Sequence, residues 1–372
     1  MILWAATRIG IALVAYLAVG LLPANLQPAP YHLRGTDNVL VDVFGSRWDT
    51  GFYVSIVEEG YILHGVELPS VAFFPLLPLL MALVRGAVGD AVVAGLLVTN
   101  ASLLGASILF YRLVADELGE ETADRATWYL LIFPASVFGS AIYTESVFLL
   151  AAVGALLAAR RGRWGWAAVA GIASALARLH GVVVAAMLAV EWWDRRRRKA
   201  EPIPPRWGLL AAFATPLGTL SFMAYCRWRF GNALAFVEAA SHWARMPRSP
   251  YETVREAFLA PAGGWWSGLW AGRIHLDNWI DLACVLLFLL LGCWLLAERR
   301  WSEGALVVLG VSLSFGSGLL MSQRRYVWVL FPAYALLARW GHREWVDRLV
   351  TVLFLVGLAL ATALFAGGYW VA

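Results

Sequence analysis

Residues 164–193, WGWAAVAGIASALARLHGVVVAAMLAVEWW, form one apolar block interrupted near its middle by Arg178-Leu179-His180-Gly181. A helix that crosses a bilayer squarely needs about 20 residues, so the block is too long for one crossing and short for two. Its flanks decide between them. Arg160-Arg161-Gly162-Arg163 precedes the block and Arg195 to Lys199 follows it, and basic clusters beside membrane helices stay on the cytoplasmic side. The two clusters share a side only if the block crosses twice. We therefore read two short helices that meet on the outer side at Arg178–Gly181.

The rest of the chain extends this pattern. Of 372 residues, 61% are hydrophobic and 15% charged, with a mean hydropathy of +0.69. That is more apolar surface than one soluble core holds, so the bilayer must be the solvent for most of it. Hydrophobic blocks run over 2–22, 71–88, 91–114, 126–140, 142–159, 164–193, 207–226, 279–297, 304–320, 326–340 and 349–370. Arg299-Arg300 and the stretch from Arg339 through Arg348 join the first two clusters as cytoplasmic markers. The first block carries only Arg8 ahead of Ile9–Leu22 and no clear small-x-small cleavage site, which reads as a retained first helix.

Parity then orders the upstream segments. With Arg160–Arg163 inside, block 142–159 begins outside. Block 71–88 is the weakest crossing, because Pro75 and Pro78 interrupt its start and Arg85 sits near its end. Laid on the outer surface as a membrane-associated helix, it leaves about 11 crossings with the N-terminus inside. A long outer loop then spans residues 23–90, Asp116–Arg125 is a cytoplasmic link, and 227–277 form a second outer loop rich in Trp and Arg. The expected fold is all-α, a single polytopic helix bundle over residues 1–372 with no separate soluble domain.

Several function classes drop out. Cys226, Cys284 and Cys293 form no C-x-x-C pair, so they suggest neither a disulfide framework nor a zinc site and read as packing residues. Lys199 is the sole lysine, and the net charge of +4 is explained by membrane topology, with no interleaved basic and aromatic groove for nucleic acid. No cluster of metal-ligand residues stands out, and no cofactor is expected. Arg195–Lys199 attracts anionic lipid headgroups besides setting topology. Trp265, Trp266 and Trp270 read as an interfacial aromatic belt or as a sugar-stacking platform.

Under this topology the unusual polar residues fall on one face: Arg47-Trp48-Asp49, Tyr143-Thr144-Glu145-Ser146, Arg178-Leu179-His180-Gly181 and Arg324-Arg325-Tyr326. Desolvating an unpaired carboxylate or guanidinium costs several kcal/mol, so such groups pair or bind substrate. Each has a structural alternative. Asp49 could cap the helix carrying Tyr53 and Ile56. Glu145 could pair with an arginine such as Arg178 to orient the site. Arg324 and Arg325 could be interface anchors, and His180 a packed residue.

In these residues the chain resembles the PIG-V family, GPI mannosyltransferase II and its prokaryotic relatives, of GT-C glycosyltransferase fold. The likeness rests on Arg47-Trp48-Asp49 with Tyr53, Ile56 and Gly60-Tyr61, and on Phe73-Phe74-Pro75-Leu76-Leu77-Pro78. Tyr143-Thr144-Glu145-Ser146-x-Phe148, Arg178-x-x-Gly181, and Arg325-Tyr326 with Phe331-Pro332 complete it, from about residue 44 to 335. His180, where a small polar residue is usual, and the acidic Val57-Glu58-Glu59 depart from the pattern and bear on the acceptor. The resemblance implies an inverting transfer of mannose from a polyprenyl-phosphate donor on the outer face, with an acidic residue of the first outer loop as base. Asp49 is the candidate base, with Glu145 beside it. Arg325, then Arg324 and Arg178, would hold the leaving phosphate bidentately, making a divalent ion unnecessary. Arg47, Trp48, Tyr143, His180 and Tyr326 complete the expected substrate-binding set. The acceptor is a lipid, glycan or protein. The scarcity of lysine suggests a GC-rich genome and hence a prokaryotic plasma membrane. The rival reading is a transporter or flippase of a lipid-linked or small polar solute, but the two halves do not visibly repeat.

Overall fold

The computed structural model describes residues 1–25, 37–258, 265–271 and 276–371, without the side chains of Trp265, Trp266 and Leu269. Among the described residues the chain is all-helical. It opens with α1 (Ile2–Leu21), α2 (Val39–Gly45), α3 (Thr50–Glu59) and α4 (Leu76–Val88). The long α5 (Ala91–Leu118), α6 (Glu120–Ile132) and α7 (Glu145–Arg160) follow. Block 164–193 is two helices, α8 (Trp164–Ala177) and α9 (Val183–Arg198), joined by a 3₁₀ turn at Leu179–Val182. Next come α10 (Leu210–Ala214) and α11 (Leu217–Phe230), parts of one apolar segment interrupted at Thr215-Pro216. The shorter α12 (Ala235–Ser241), α13 (Pro250–Phe258) and α14 (Trp265–Trp270) lead into the hairpin of α15 (Leu276–Ala297) and α16 (Trp301–Phe315). The chain ends in α17 (Gln323–Trp328), α18 (Pro332–Trp340) and α19 (Glu344–Ala366).

Among the described residues, five helical segments are long and apolar enough to cross a membrane: Ile2–Leu21, Ala91–Leu118, Arg206–Phe230, Leu276–Ala297 and Glu344–Ala366. The other expected crossings are shorter or broken. Backbone irregularities at 133–144, 178–182 and 316–331 interrupt the blocks that carry polar motifs, which is why length and composition identify fewer spans than the 11 expected. The link expected at Asp116–Arg125 is largely helical as well. α5 runs on to Leu118, and Gly119, at φ 84°, turns the chain directly into α6. Pro75 and Pro78 start α4 rather than breaking it, since the first turn of a helix has no N–H partner for a proline to remove. α4 then packs against α3 and α5.

The bundle has two chemically distinct ends, and α7 measures their separation. Glu145 is its first residue and Arg160 its last, about 22 Å apart at 1.5 Å per residue. At the Arg160 end the basic clusters are tied together. Arg160 pairs with Glu117, Glu191 (3.2 Å) and Glu303 (3.4 Å), Arg300 reaches Glu117 (2.8 Å), and Arg198 donates to the Arg299 carbonyl (2.9 Å). All the polar motifs lie toward the other end.

Between the ends, packing relies on small residues that let helices approach. A Cβ on Gly95 would meet Ile142 at 2.7 Å, one on Gly139 would meet Leu103 at 2.7 Å, and one on Gly310 would meet Leu330 at 2.6 Å. The fully buried centre holds Phe110, Phe133, Phe138, Phe148, Trp164 and Trp328. Leu13 and Leu17 of α1, Leu286 and Leu290 of α15, and Val352, Leu353, Val356 and Leu360 of α19 are exposed instead, the arrangement a lipid-facing surface requires. Arg8 is not a surface charge. Buried in α1, it donates to the Ser136 (2.8 Å) and Leu131 (3.2 Å) carbonyls and fastens the irregular stretch after α6. The aromatic-belt reading of Trp265 and Trp266 concerns side chains outside the described residues; Trp270 is 83% exposed.

Candidate active site

Arg47 fixes where the site begins. Its guanidinium pairs with Asp42 (2.8 Å) and donates to the Phe365 (3.4 Å) and Ala366 carbonyls, where a cation offsets the unpaired acceptors at the end of α19. Trp48 follows at φ 56°, a conformation that costs a bulky residue about 1–2 kcal/mol, and is held by edge-on packing against Trp370 at 5.1 Å. This turn directs Asp49 inward. Asp49 occupies the residue before α3, but its carboxylate makes no capping hydrogen bond there. Its Oδ2 accepts from Arg325 Nη1 at 2.9 Å, while its backbone N–H donates to Tyr143 Oη at 3.3 Å.

Glu145 reaches the same arginine from α7. Its Oε1 lies 3.1 Å from Arg325 Nε and 3.1 Å from Arg178 Nη1. One guanidinium thus joins two carboxylates that lie 96 positions apart in sequence. The carboxylates differ in access: the Asp49 side chain is 13% exposed and that of Glu145 only 1%. Glu145 Oε2 and His180 Nε2 are buried without a hydrogen-bond partner among the described residues, whereas Arg178 Nη1 and Arg325 Nε have their ion pairs to Glu145 Oε1. Buried polar atoms of this kind are expensive unless something binds them.

Tyr326 organises the cationic side. The Arg178, Arg245 and Arg325 guanidiniums lie 4.9, 5.0 and 5.5 Å from its ring centre, and His180 stacks on it at 5.0 Å. Arg178 also faces Phe148 at 6.0 Å, and Arg325 faces Tyr143 at 5.2 Å. The structure therefore brings Asp49, Tyr143, Glu145, Arg178, His180, Arg325 and Tyr326 together, with Trp48 behind them.

Two expected members face elsewhere. Arg47 is engaged as described, and Arg324 points away from its neighbour Arg325, as consecutive helical residues do. Arg324 pairs with Asp281 (3.0 Å) and Asp277 (2.6 Å) of α15. Asp281 also accepts from the Ser322 and Arg324 backbone N–H groups at 3.1 and 2.8 Å, anchoring the start of α17.

Three participants were absent from the expected set. Asp281, a charge inside the apolar run that becomes α15, is the kind of residue that demands a cationic partner and could have been found on that ground. Tyr53 is buried near both carboxylates. Burial, with the Glu145 and Asp49 charges, pushes its phenol well above the ordinary range and keeps it protonated. Arg245 comes from the loop after α12 and carries no local sequence signal.

Comparison with known proteins agrees with the resemblance and with the fold. Residues 22–196 match the family model described as Mannosyltransferase (PIG-V), a range that includes Asp49, Tyr143, Glu145 and Arg178 but stops before Arg325. The apo crystal structure of the Archaeoglobus fulgidus oligosaccharyltransferase aligns with 99% of this chain and 56% of its own, at 13% identity and a TM-score of 0.50. Apo ArnT from Cupriavidus metallidurans aligns over 99% and 76% respectively, at 14% identity and a TM-score of 0.49. The chain thus spans about half the length of the oligosaccharyltransferase, and the likeness is one of fold. No curated protein matches the sequence.

Proposed function

We propose that this chain is an integral membrane glycosyltransferase that moves one sugar, mannose, from a polyprenyl phosphate to an acceptor hydroxyl with inversion at the anomeric carbon. The observation that carries the reading is the Arg325 guanidinium bridging Asp49 and Glu145 beside the arginine cage around Tyr326. The class of reaction draws on the family match over residues 22–196 and the GT-C fold. These also favour an enzyme over a transporter or flippase.

The chemistry divides among the residues by access. Asp49, the more exposed carboxylate, takes the proton of the acceptor hydroxyl as its oxygen attacks the anomeric carbon. The sugar–phosphate C–O bond breaks on the opposite face, and the phosphate carries off the electron pair. That phosphate needs fixed cations rather than an acid, and Arg325 with Arg178 supplies them in a preorganised, poorly hydrated setting. Glu145, sealed from solvent, is a positioning residue that holds both guanidiniums. Tyr143 fixes the Asp49 backbone, and His180 and Tyr326 wall the sugar side.

By the positive-inside rule, the four basic clusters at the far end support a site at the extracytoplasmic face of a bundle of about 11 crossings. Lipid, glycan and protein hydroxyls are all chemically competent acceptors. The test is to incubate purified protein with polyprenyl-phosphate mannose and candidate acceptor extracts and follow release of polyprenyl phosphate. Acceptor-dependent release with transfer of label supports the reading. Label moved across a proteoliposome membrane without transfer would replace it with the transporter.

A further inference from the structure

The segment between α12 and α13 straps the site. At one side His242 Nδ1 donates to the Glu67 carbonyl at 2.9 Å, and Trp243 packs edge-on against Phe52 at 5.5 Å and Phe73 at 5.6 Å. At the other, the Arg248 N–H donates to the Gly316 carbonyl at 3.3 Å. Gly318, at φ 78°, admits the Met246 carbonyl to within 2.1 Å of where a Cβ would stand. Between these moorings the chain turns at Ala244, φ 55°, and sends Arg245 to the Tyr326 ring, with Nη1 donating to Ser317 Oγ at 3.2 Å.

Charge sets Arg245 apart from the other two arginines of the cage. Arg178 pairs with Glu145, and Arg325 with Glu145 and Asp49, whereas Arg245 forms no ion pair among the described residues. Two carboxylates against three guanidiniums leave one positive charge in excess, and it resides on the strap.

We propose that Arg245 is a donor-binding residue that clamps the lipid-linked phosphate against Tyr326 from the strap at 242–248. This rests on the glycosyltransferase reading above. A guanidinium already balanced by carboxylates gives up part of its attraction to an incoming anion, while an unbalanced one gives up none. A phosphodiester brings one negative charge, which matches the excess.

The test uses the full chain in detergent and polyprenyl phosphate without a sugar, titrated by intrinsic tryptophan fluorescence. Arg245→Gln should weaken binding by about tenfold or more, and Arg245→Lys by less. Arg255→Ala, a charge change at an exposed position of α13, should bind as the parent does. Ser317→Ala, which removes one of the two hydrogen bonds of the Arg245 side chain, leaves that from Nη2 to the Met321 carbonyl (3.5 Å) and keeps the charge, should stay within about threefold of the parent. Equal binding by Arg245→Gln and the parent overturns the proposal and leaves the glycosyltransferase reading intact. A loss in Ser317→Ala as large as that in Arg245→Gln also overturns it, making Arg245 a strap anchor. Failure of the parent itself to bind polyprenyl phosphate overturns both the proposal and the reading beneath it.

Discussion

Asp49 and Arg325 form the pair on which single substitutions are most informative. Asp49→Asn keeps the side chain's shape but removes its basicity, and Arg325 retains Glu145 as a partner. The protein should therefore fold with near-parent thermal stability while transfer drops by about 10² or more. Near-parent transfer by this variant would remove Asp49 as the base. Arg325→Lys keeps the charge without the planar fork that spans two carboxylates, so turnover should fall, and further in Arg325→Ala. Full activity in the alanine variant would return Arg325 to the role of an interface anchor. Arg324→Ala should behave differently, because it strands Asp281, a fully buried carboxylate, without its cation. Its expected signature is lost stability of about 3–5 kcal/mol, measured by thermal unfolding. An Arg324→Ala protein as stable as the parent would contradict that anchoring role.

At the scale of elements, the turn between α8 and α9 shows why a glycine follows Arg178 by three residues. A Cβ on Gly181 would lie 2.0 Å from the Ser174 carbonyl oxygen and 2.3 Å from the Ala175 nitrogen, both backbone atoms of α8 that cannot swing aside. Gly181→Ala should force the 3₁₀ turn away from α8, displacing Arg178 and His180. Overpacking of this kind costs about 1–3 kcal/mol. Thermal stability and polyprenyl-phosphate affinity should fall together, and a variant unchanged in both would show that the turn yields without disturbing the site. The pair of short helices and the turn between them are legible in residues 164–193, because segment length and flanking charge act locally. Gly181's packing partner is not, since only the closed turn brings it against α8.

For the whole molecule, the two-ended arrangement makes a topological prediction. Cysteines replacing exposed Glu59 and Ser249, near the site, should react in intact cells with membrane-impermeant thiol reagents, and one replacing exposed Arg197, at the basic end, should be shielded. Labelling of Arg197→Cys from outside would invert the bundle. Measurements should be read against the native background, since Cys293 is itself exposed. Fewer long helices occur than hydrophobic blocks, because the polar motifs sit where crossings break. Irregular backbone is tolerated inside a membrane protein only where protein or a cavity satisfies it.

By itself the sequence determined the class of solvent, the helical fold and the sorting of charge to two ends. These follow from apolar run length and basic clusters, properties that each segment carries independently. It also placed Asp49, Glu145, Arg178 and Arg325 together, through parity of crossings. Apart from the Glu145–Arg178 pair, which the sequence already suggested, which charge meets which was decided only by tertiary packing. Arg324 and Arg325 are adjacent and chemically identical in sequence, yet one is taken by Asp281 and the other by Asp49 and Glu145. Arg245 enters the cage from a loop 81 positions from Tyr326, and Arg8 vanishes from the surface into the carbonyls of residues more than 120 positions away. Ion pairing reads distance and desolvation in three dimensions, and neither quantity exists until the helices have packed.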